Sequence, residues 1–341
     1  MEQSVKTRYG ILCGERKTGF SQFLGVPFAE APVGELRFRK PQPLKPWQGI
    51  RQANEYADYC VQPGKADTAS KKAKGSEDCL YLNIYTPSCD GKARPTVIWI
   101  HGGGYLTGTG SSVIKFGGKM AADYDIVVVS IQYRLGAFGC VDFASLSGAE
   151  GRFDRNCGTW DQVMAVNWVI DNIADFGGDP HCITLLGESA GACSVLTLIT
   201  TPYLKGKIKR AILDSPAPLL INSKQNGYIA ALDVAKRLGI PEGEAYRIAD
   251  LPADVLTKAV NESEYAYVNH HPYLLPTAPV LDDDLIPVLP YDALLHGAAD
   301  GIEMLIGTTK DEGTIFATGD SKGIFPGTKA QMEKFFADHP D

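Results

Sequence analysis

Apolar positions in this chain fall into short runs, and the spacing within and between them changes along its length. Thr96-Val97-Ile98-Trp99-Ile100 and Ile183-Thr184-Leu185-Leu186 are apolar runs that lead into glycine-containing turns, the pattern of buried strands. Similar runs predict strands near 80–85 and 126–132, at Lys209–Asp214, and at Met304-Leu305-Ile306. Between them the period lengthens. Val163, Val166, Val169 and Ile170 repeat at helical spacing within Trp160–Ala174, and Ala192–Thr200 also reads as a helix. Alternating strands and helices predict an α/β architecture with a mostly parallel central sheet flanked by helices. Residues 5 to about 60 are broken by Gly- and Pro-rich turns and predict an antiparallel N-terminal region. Residues 218–300 carry helical patterns at Ala230–Leu238 and Ala253–Val260, interrupted by Pro and Gly, and read as a helical cap insertion. With no internal repeat and no linker, 1–341 is expected to form a single domain.

Two of the predicted strands run into motifs that carry chemistry. Gly187-Glu188-Ser189-Ala190-Gly191 joins the Ile183–Leu186 strand to the following helix. Strand, G-x-S-x-G, helix is a nucleophile elbow: the serine sits on a tight, strained turn that lifts its hydroxyl from the sheet edge. His101-Gly102-Gly103-Gly104 follows the Thr96–Ile100 strand. Attack on an ester carbonyl puts negative charge on its oxygen, and backbone N–H groups free of obstructing side chains stabilise that charge. The N–H groups of Gly103, Gly104 and Ala190 are the candidates for this oxyanion hole.

A serine nucleophile needs a base and a group to orient it. In the fold these motifs imply, the acid and then the histidine follow the serine in the chain. The acid candidate lies in Lys310-Asp311-Glu312-Gly313, just after the Met304–Ile306 run, and the pattern alone does not separate Asp311 from Glu312.

These segments resemble the type-B carboxylesterases, the family that includes cholinesterases and bacterial para-nitrobenzyl esterases. Phe176-Gly177-Gly178-Asp179-Pro180 leading into the G-x-S-x-G is similar to the family's active-site signature, and Glu77-Asp78-Cys79-Leu80-Tyr81-Leu82-Asn83-Ile84 to its second. Phe23–Ala29, Pro32–Phe38, and Asn156, Gly158, Asp161 and Gln162 fit as well. The resemblance implies an α/β-hydrolase fold, ester hydrolysis through an acyl-serine, Ser189 as nucleophile and Glu312 as the acid. It implies no metal and no organic cofactor. Its catalytic histidine lies in an H-G-x-E segment after the eighth strand, and none of His101, His181, His270, His271, His296 or His339 sits in such a segment. The resemblance therefore implies the amino-terminal part of such a domain, with the strand near Leu305 left as an edge. An isolated chain lacking that histidine is expected to be inactive. Relatives acting on amides, lactones or thioesters, and non-catalytic adhesion proteins that lack the serine, are the alternatives.

Composition narrows the partners. A net charge of −7 over 341 residues, with no long basic run, argues against nucleic-acid binding. The basic cluster Lys65–Lys74 is rich in Ala, Ser and Gly and reads as a mobile exposed loop. No Trp, Tyr or Phe lies between Cys60 and Cys79, so a cation cage there is not expected, and an uncharged small-molecule ester is the expected substrate. Glu188 is expected to place a carboxylate beside the nucleophile. The opening Met1–Lys6 is polar and no apolar stretch reaches membrane-spanning length, which predicts a cytoplasmic protein without a membrane partner. The family resemblance implies a pairing of Cys60 with Cys79, but in a reducing compartment both are expected to be thiols. No Cys/His cluster has zinc spacing.

Overall fold

The computed structural model describes residues 1–112, 117–218, 220–270, 275–313 and 328–338, with the side chains of residues 267–270, 331, 332, 335, 336 and 338 not included. Its strands are β1 (Glu2–Lys6), β2 (Ile11–Arg16), β3 (Ser21–Pro27), β4 (Ile50–Gln52), β5 (Tyr59–Cys60), β6 (Gly75–Ser76), β7 (Tyr81–Thr86), β8 (Arg94–Ile100), β9 (Val127–Ile131), β10 (Gly178–Glu188), β11 (Arg210–Asp214) and β12 (Glu303–Gly307). The central sheet runs β1-β2-β3-β7-β9-β8-β10-β11-β12. Its first half is antiparallel, and β9, β8, β10, β11 and β12 are mutually parallel.

The period-two alternation of a strand decides what each face meets. Phe23, Ile84 and Val129 point into the main core, shared with Val163 and Val166 of α3 (Cys157–Asn172). Their neighbours Leu24, Tyr85 and Val128 point the other way and are covered by Ala121 of α1 (Gly117–Tyr124). Both faces are therefore buried, which is why β9 is apolar apart from one serine and lies buried along its whole length. Helix α4 (Ala190–Thr200) starts where β10 ends and packs against β10, β11 and β8.

A second apolar cluster lies beside the sheet. It joins Phe138 of α2 (Gly136–Gly139) to Ala231 and Val234 of α5 (Lys224–Arg237), and to Leu256 and Val260 of α6 (Ala253–His270). Short helices α7 (Pro290–Leu295) and α8 (Lys329–Asp338) follow. At the far edge, β12 pairs with β11 alone among the described strands. Its Met304, Leu305 and Ile306 are 44%, 65% and 55% exposed. No described helix is long and apolar enough to cross a membrane.

Several expectations need correction. The N-terminal region is not wholly antiparallel, because β4 returns beside β2 in parallel register, Ile11 opposite Ile50. α3 begins three residues before Trp160, and α6 continues ten residues past Val260. Its extension is held by Ser263, which is fully buried and donates to Asp233 Oδ2 at 2.7 Å. Cys60 and Cys79 are bridged by a disulfide instead of being thiols. Compartment reasoning gave no weight to the fold, in which β5–β6 pairing closes the intervening loop and leaves the two Cα atoms 5.0 Å apart. That loop is also more tied down than its composition suggests. Its lysines face solvent, but Ala66 and Ala73 are buried against Tyr59, and Lys74 N–H donates to Asp58.

Candidate active site

The G-x-S-x-G segment sits at the carboxyl end of β10. Ser189 adopts φ 55°, ψ −124°, a conformation that costs a non-glycine residue on the order of 1–3 kcal/mol. Contacts on both sides hold it there. Its N–H donates to Asp214 O at 2.9 Å, tying the turn to β11, and its carbonyl accepts from Cys193 N–H at 3.0 Å to open α4. The flanking glycines are required by close approach. A Cβ on Gly187 would stand 2.3 Å from Gly191 O, and one on Gly191 would stand 2.1 Å from Ile100 O and 2.8 Å from His101 O. These are backbone atoms that cannot swing aside. Gly191→Ala is therefore expected to destabilise the fold by about 1–3 kcal/mol through overpacking. A urea midpoint equal to that of the parent chain would sink this account.

The His101–Gly104 loop leaves the end of β8 and lies against the same turn. A Cβ on Gly102 would be 3.1 Å from Ser189 Cβ and 2.8 Å from Glu188 Oε2. The His101 ring is buried and stacks on Tyr133, with ring centres 4.4 Å apart. Burial pulls its pKa down to about 4, so the ring is neutral and its Nδ1–H donates to Gly102 O at 2.9 Å. The Tyr133 hydroxyl donates to His101 O at 2.8 Å. These contacts make His101 a support of the loop. The Gly103 carbonyl accepts from Leu106 N–H and Thr107 N–H, closing the turn. Among the described residues, the N–H groups of Gly103, Gly104 and Ala190 have no acceptor.

Of the two acidic candidates, the structure ties Glu312 to the neighbourhood of Ser189. Glu312 Oε1 accepts from Ser215 Oγ at 2.6 Å and from Thr309 N–H at 2.5 Å. The Ser215 hydroxyl and then the Thr309 amide hold its carboxyl below the usual range. Ser215 directly follows Asp214, the residue whose carbonyl holds Ser189, so the acid and the serine are anchored at the same end of β11. Glu188 is exposed at the mouth of the elbow. Desolvation raises its pKa first, and the charges of Asp214 and Glu312 add to that.

Ser215 was not legible in advance. It has positive φ (50°) and no motif of its own, and its role depends on a partner 97 residues away. None of the described histidine side chains hydrogen-bonds Ser189. His181 and His296 are exposed, the latter bonded to Asp292 O in its own helix. His271 and His339 lie outside the described residues, and of His270 only the backbone is described. Among the described residues no three His, Cys, Asp or Glu side chains are grouped to hold a metal ion. A surface hollow of about 990 Å³ lies elsewhere, lined by Arg37, Glu77, Arg152 and Pro252, and contains none of these groups.

Comparison with known proteins gives a consistent set of matches. The model of the carboxylesterase family matches residues 1–337. The para-nitrobenzyl esterase of Bacillus subtilis is 38% identical over 94% of this chain and 65% of its own length. The phenmedipham hydrolase of Pseudarthrobacter oxydans is 36% identical over 98% of this chain and 67% of its own length. In three dimensions the chain is similar to a Geobacillus stearothermophilus carboxylesterase, with TM-score 0.86 and 39% identity, covering 98% of this chain and 67% of that one. The chain thus spans about two thirds of the length of these relatives, and 56% of the acetylcholinesterase of Leptinotarsa decemlineata.

Proposed function

Because the chain belongs to the carboxylesterase family, we propose that it carries the nucleophile, acid and oxyanion donors of a serine carboxylic-ester hydrolase acting on uncharged small-molecule esters. The observation that carries this reading is the meeting of the strained Ser189 turn with a glycine loop. Around that junction, three backbone N–H groups, those of Gly103, Gly104 and Ala190, have no acceptor among the described residues. Ser189 Oγ attacks the ester carbonyl and gives its proton to a base. The developing oxyanion is held by the three N–H groups, the alcohol leaves, and water then releases the acid from Ser189. Glu312, held below its usual pKa by Ser215 and Thr309, stays ionised to orient a histidine and stabilise its charged form. That histidine is not among the described side chains.

Residues 218–300 are read as the cap over this site, the source of acyl and alcohol pockets. In support, Thr277 from this region hydrogen-bonds Gly104 of the glycine loop. The absence of aromatic side chains between Cys60 and Cys79 favours an uncharged ester over a quaternary ammonium one. The test is hydrolysis of para-nitrophenyl acetate and butyrate beside Ser189→Ala, with and without added imidazole as base. Ester turnover that does not depend on Ser189 overturns the reading.

A further inference from the structure

Glu264, on the cap helix α6, reaches the glycine loop through a single hydroxyl. Thr277 is fully buried. Its Oγ1 lies 2.9 Å from Gly104 O and 3.2 Å from each of the two carboxyl oxygens of Glu264. Among the described residues, that hydroxyl is the donor to Gly104 O; the turn amides of Leu106 and Thr107 go to Gly103 instead. Gly104 has φ +62°, and among the described residues a Cβ on it would meet nothing within 4 Å, so their side-chain packing does not fix the peptide at this point.

A threonine hydroxyl has one proton and cannot serve both neighbours. With Glu264 protonated, the carboxyl donates to Thr277 Oγ1, and the threonine proton is free for Gly104 O. With Glu264 ionised, the charged acceptor competes for that proton, and charge-assisted hydrogen bonds are the stronger kind. The Gly104 carbonyl then loses its donor. We infer that Glu264 is a positioning residue: in its neutral form it directs the Thr277 proton to Gly104 and so locks the glycine loop, and its ionisation unlocks it. This rests on the reading of Gly103 and Gly104 as oxyanion donors.

The surroundings favour the neutral form at ordinary pH. Glu264 is half-buried as a residue, but desolvation of its carboxyl raises the pKa to about 8, against an opposing pull from its hydrogen bonds to Thr277. Among the described residues no cation is paired with it. On its own helix, Lys258 sits 3.9 Å from Glu262. From α5, the Asp233–Arg237 pair meets α6 at Ser263. Next to α2, the buried Cys140 thiol is coupled to Glu264 and is itself pushed up by burial, so it stays neutral. In the glycine loop, His101 is neutral and burial raises Tyr105 well above its ordinary value. The sign follows. The folded chain keeps this proton where the unfolded chain has lost it, so the neutral, locked form persists up to about pH 8 and is lost above it.

The test is hydrogen exchange of the Leu106 and Thr107 amides in the full chain, from about pH 6 to about pH 10, a window that spans that value. Each rate is taken as a ratio to Glu264→Gln, whose amide donates to Thr277 at every pH. The expected result is equal protection at the acid end and a loss of protection in the parent chain as pH rises through about 8. Thr277→Val should remove protection throughout, and Thr277→Ser should restore the parent profile. A parent-to-Gln ratio constant across the range, or a Thr277→Val chain with parent-like protection, overturns the inference. None of these readouts uses turnover, so failure of the ester-hydrolase reading, seen as Ser189-independent hydrolysis, is distinguishable. In ester hydrolysis with imidazole added as base, Thr277→Val should lower the Ser189-dependent rate at saturating ester roughly ten- to a hundredfold, with a smaller change in KM.

Discussion

Ser189→Ala is expected to remove base-dependent ester turnover, a loss of about a thousandfold or more once an imidazole base is in place. Ser189 is half-buried, and Glu188 and Glu312 are exposed, so the elbow is open to a small base from solution. The 341 residues by themselves are expected to hydrolyse para-nitrophenyl acetate near the Ser189→Ala floor, because His101 is committed to Gly102 and to Tyr133, His181 is exposed, and the His296 ring is bonded to Asp292 O. Added imidazole should raise the rate of the parent chain and leave that of the variant at the background of imidazole alone. Equal imidazole response in both would remove Ser189 from the mechanism. Serine-dependent turnover without imidazole would instead place the base on a histidine of this chain whose side chain is not among those described.

Much of this arrangement was readable from local pattern, and what was missed shares one cause. The Ile183–Leu186 and Thr96–Ile100 runs signal buried strands because a strand covered on both faces must be apolar throughout, and the glycines after them signal tight approach. Both are properties of a few adjacent residues. Glu312 was separated from Asp311 only by family resemblance, because the choice depends on Ser215, which is distant in sequence. The extension of α6 past Val260 depends on a buried serine meeting Asp233 of α5, and the Glu264–Thr277–Gly104 contact joins three segments. No periodicity encodes such meetings. The Cys60–Cys79 bridge was set aside for a related reason: a redox argument about the compartment replaced a geometric one about loop closure.

Asp161→Asn is expected to cost about 3–5 kcal/mol of stability, a large part of the roughly 5–15 kcal/mol that holds a domain together. Asp161 is fully buried in α3 and Arg134 is 2% exposed. The carboxylate accepts from Arg134 N at 3.0 Å, Nε at 2.8 Å and Nη2 at 2.7 Å, while Arg134 Nη1 has no partner among the described residues. Burial pushes the Asp161 carboxyl up from its usual range, and the guanidinium pulls it back. Asparagine keeps the shape and removes the charge, so it leaves an uncompensated cation in the core. The same-length side chain makes this a charge effect, not a cavity effect. The urea midpoint should fall with the slope unchanged, and joint replacement with Arg134→Met and Asp161→Leu should recover much of the loss, because the desolvation cost of both ions then disappears. An Asp161→Asn midpoint within the error of the parent would mean that Arg134 finds its charge partner elsewhere. The pair also reaches the site. Arg134 follows Tyr133, whose hydroxyl and ring hold His101, so a core that loosens at Asp161 should release the glycine loop before the sheet itself unfolds.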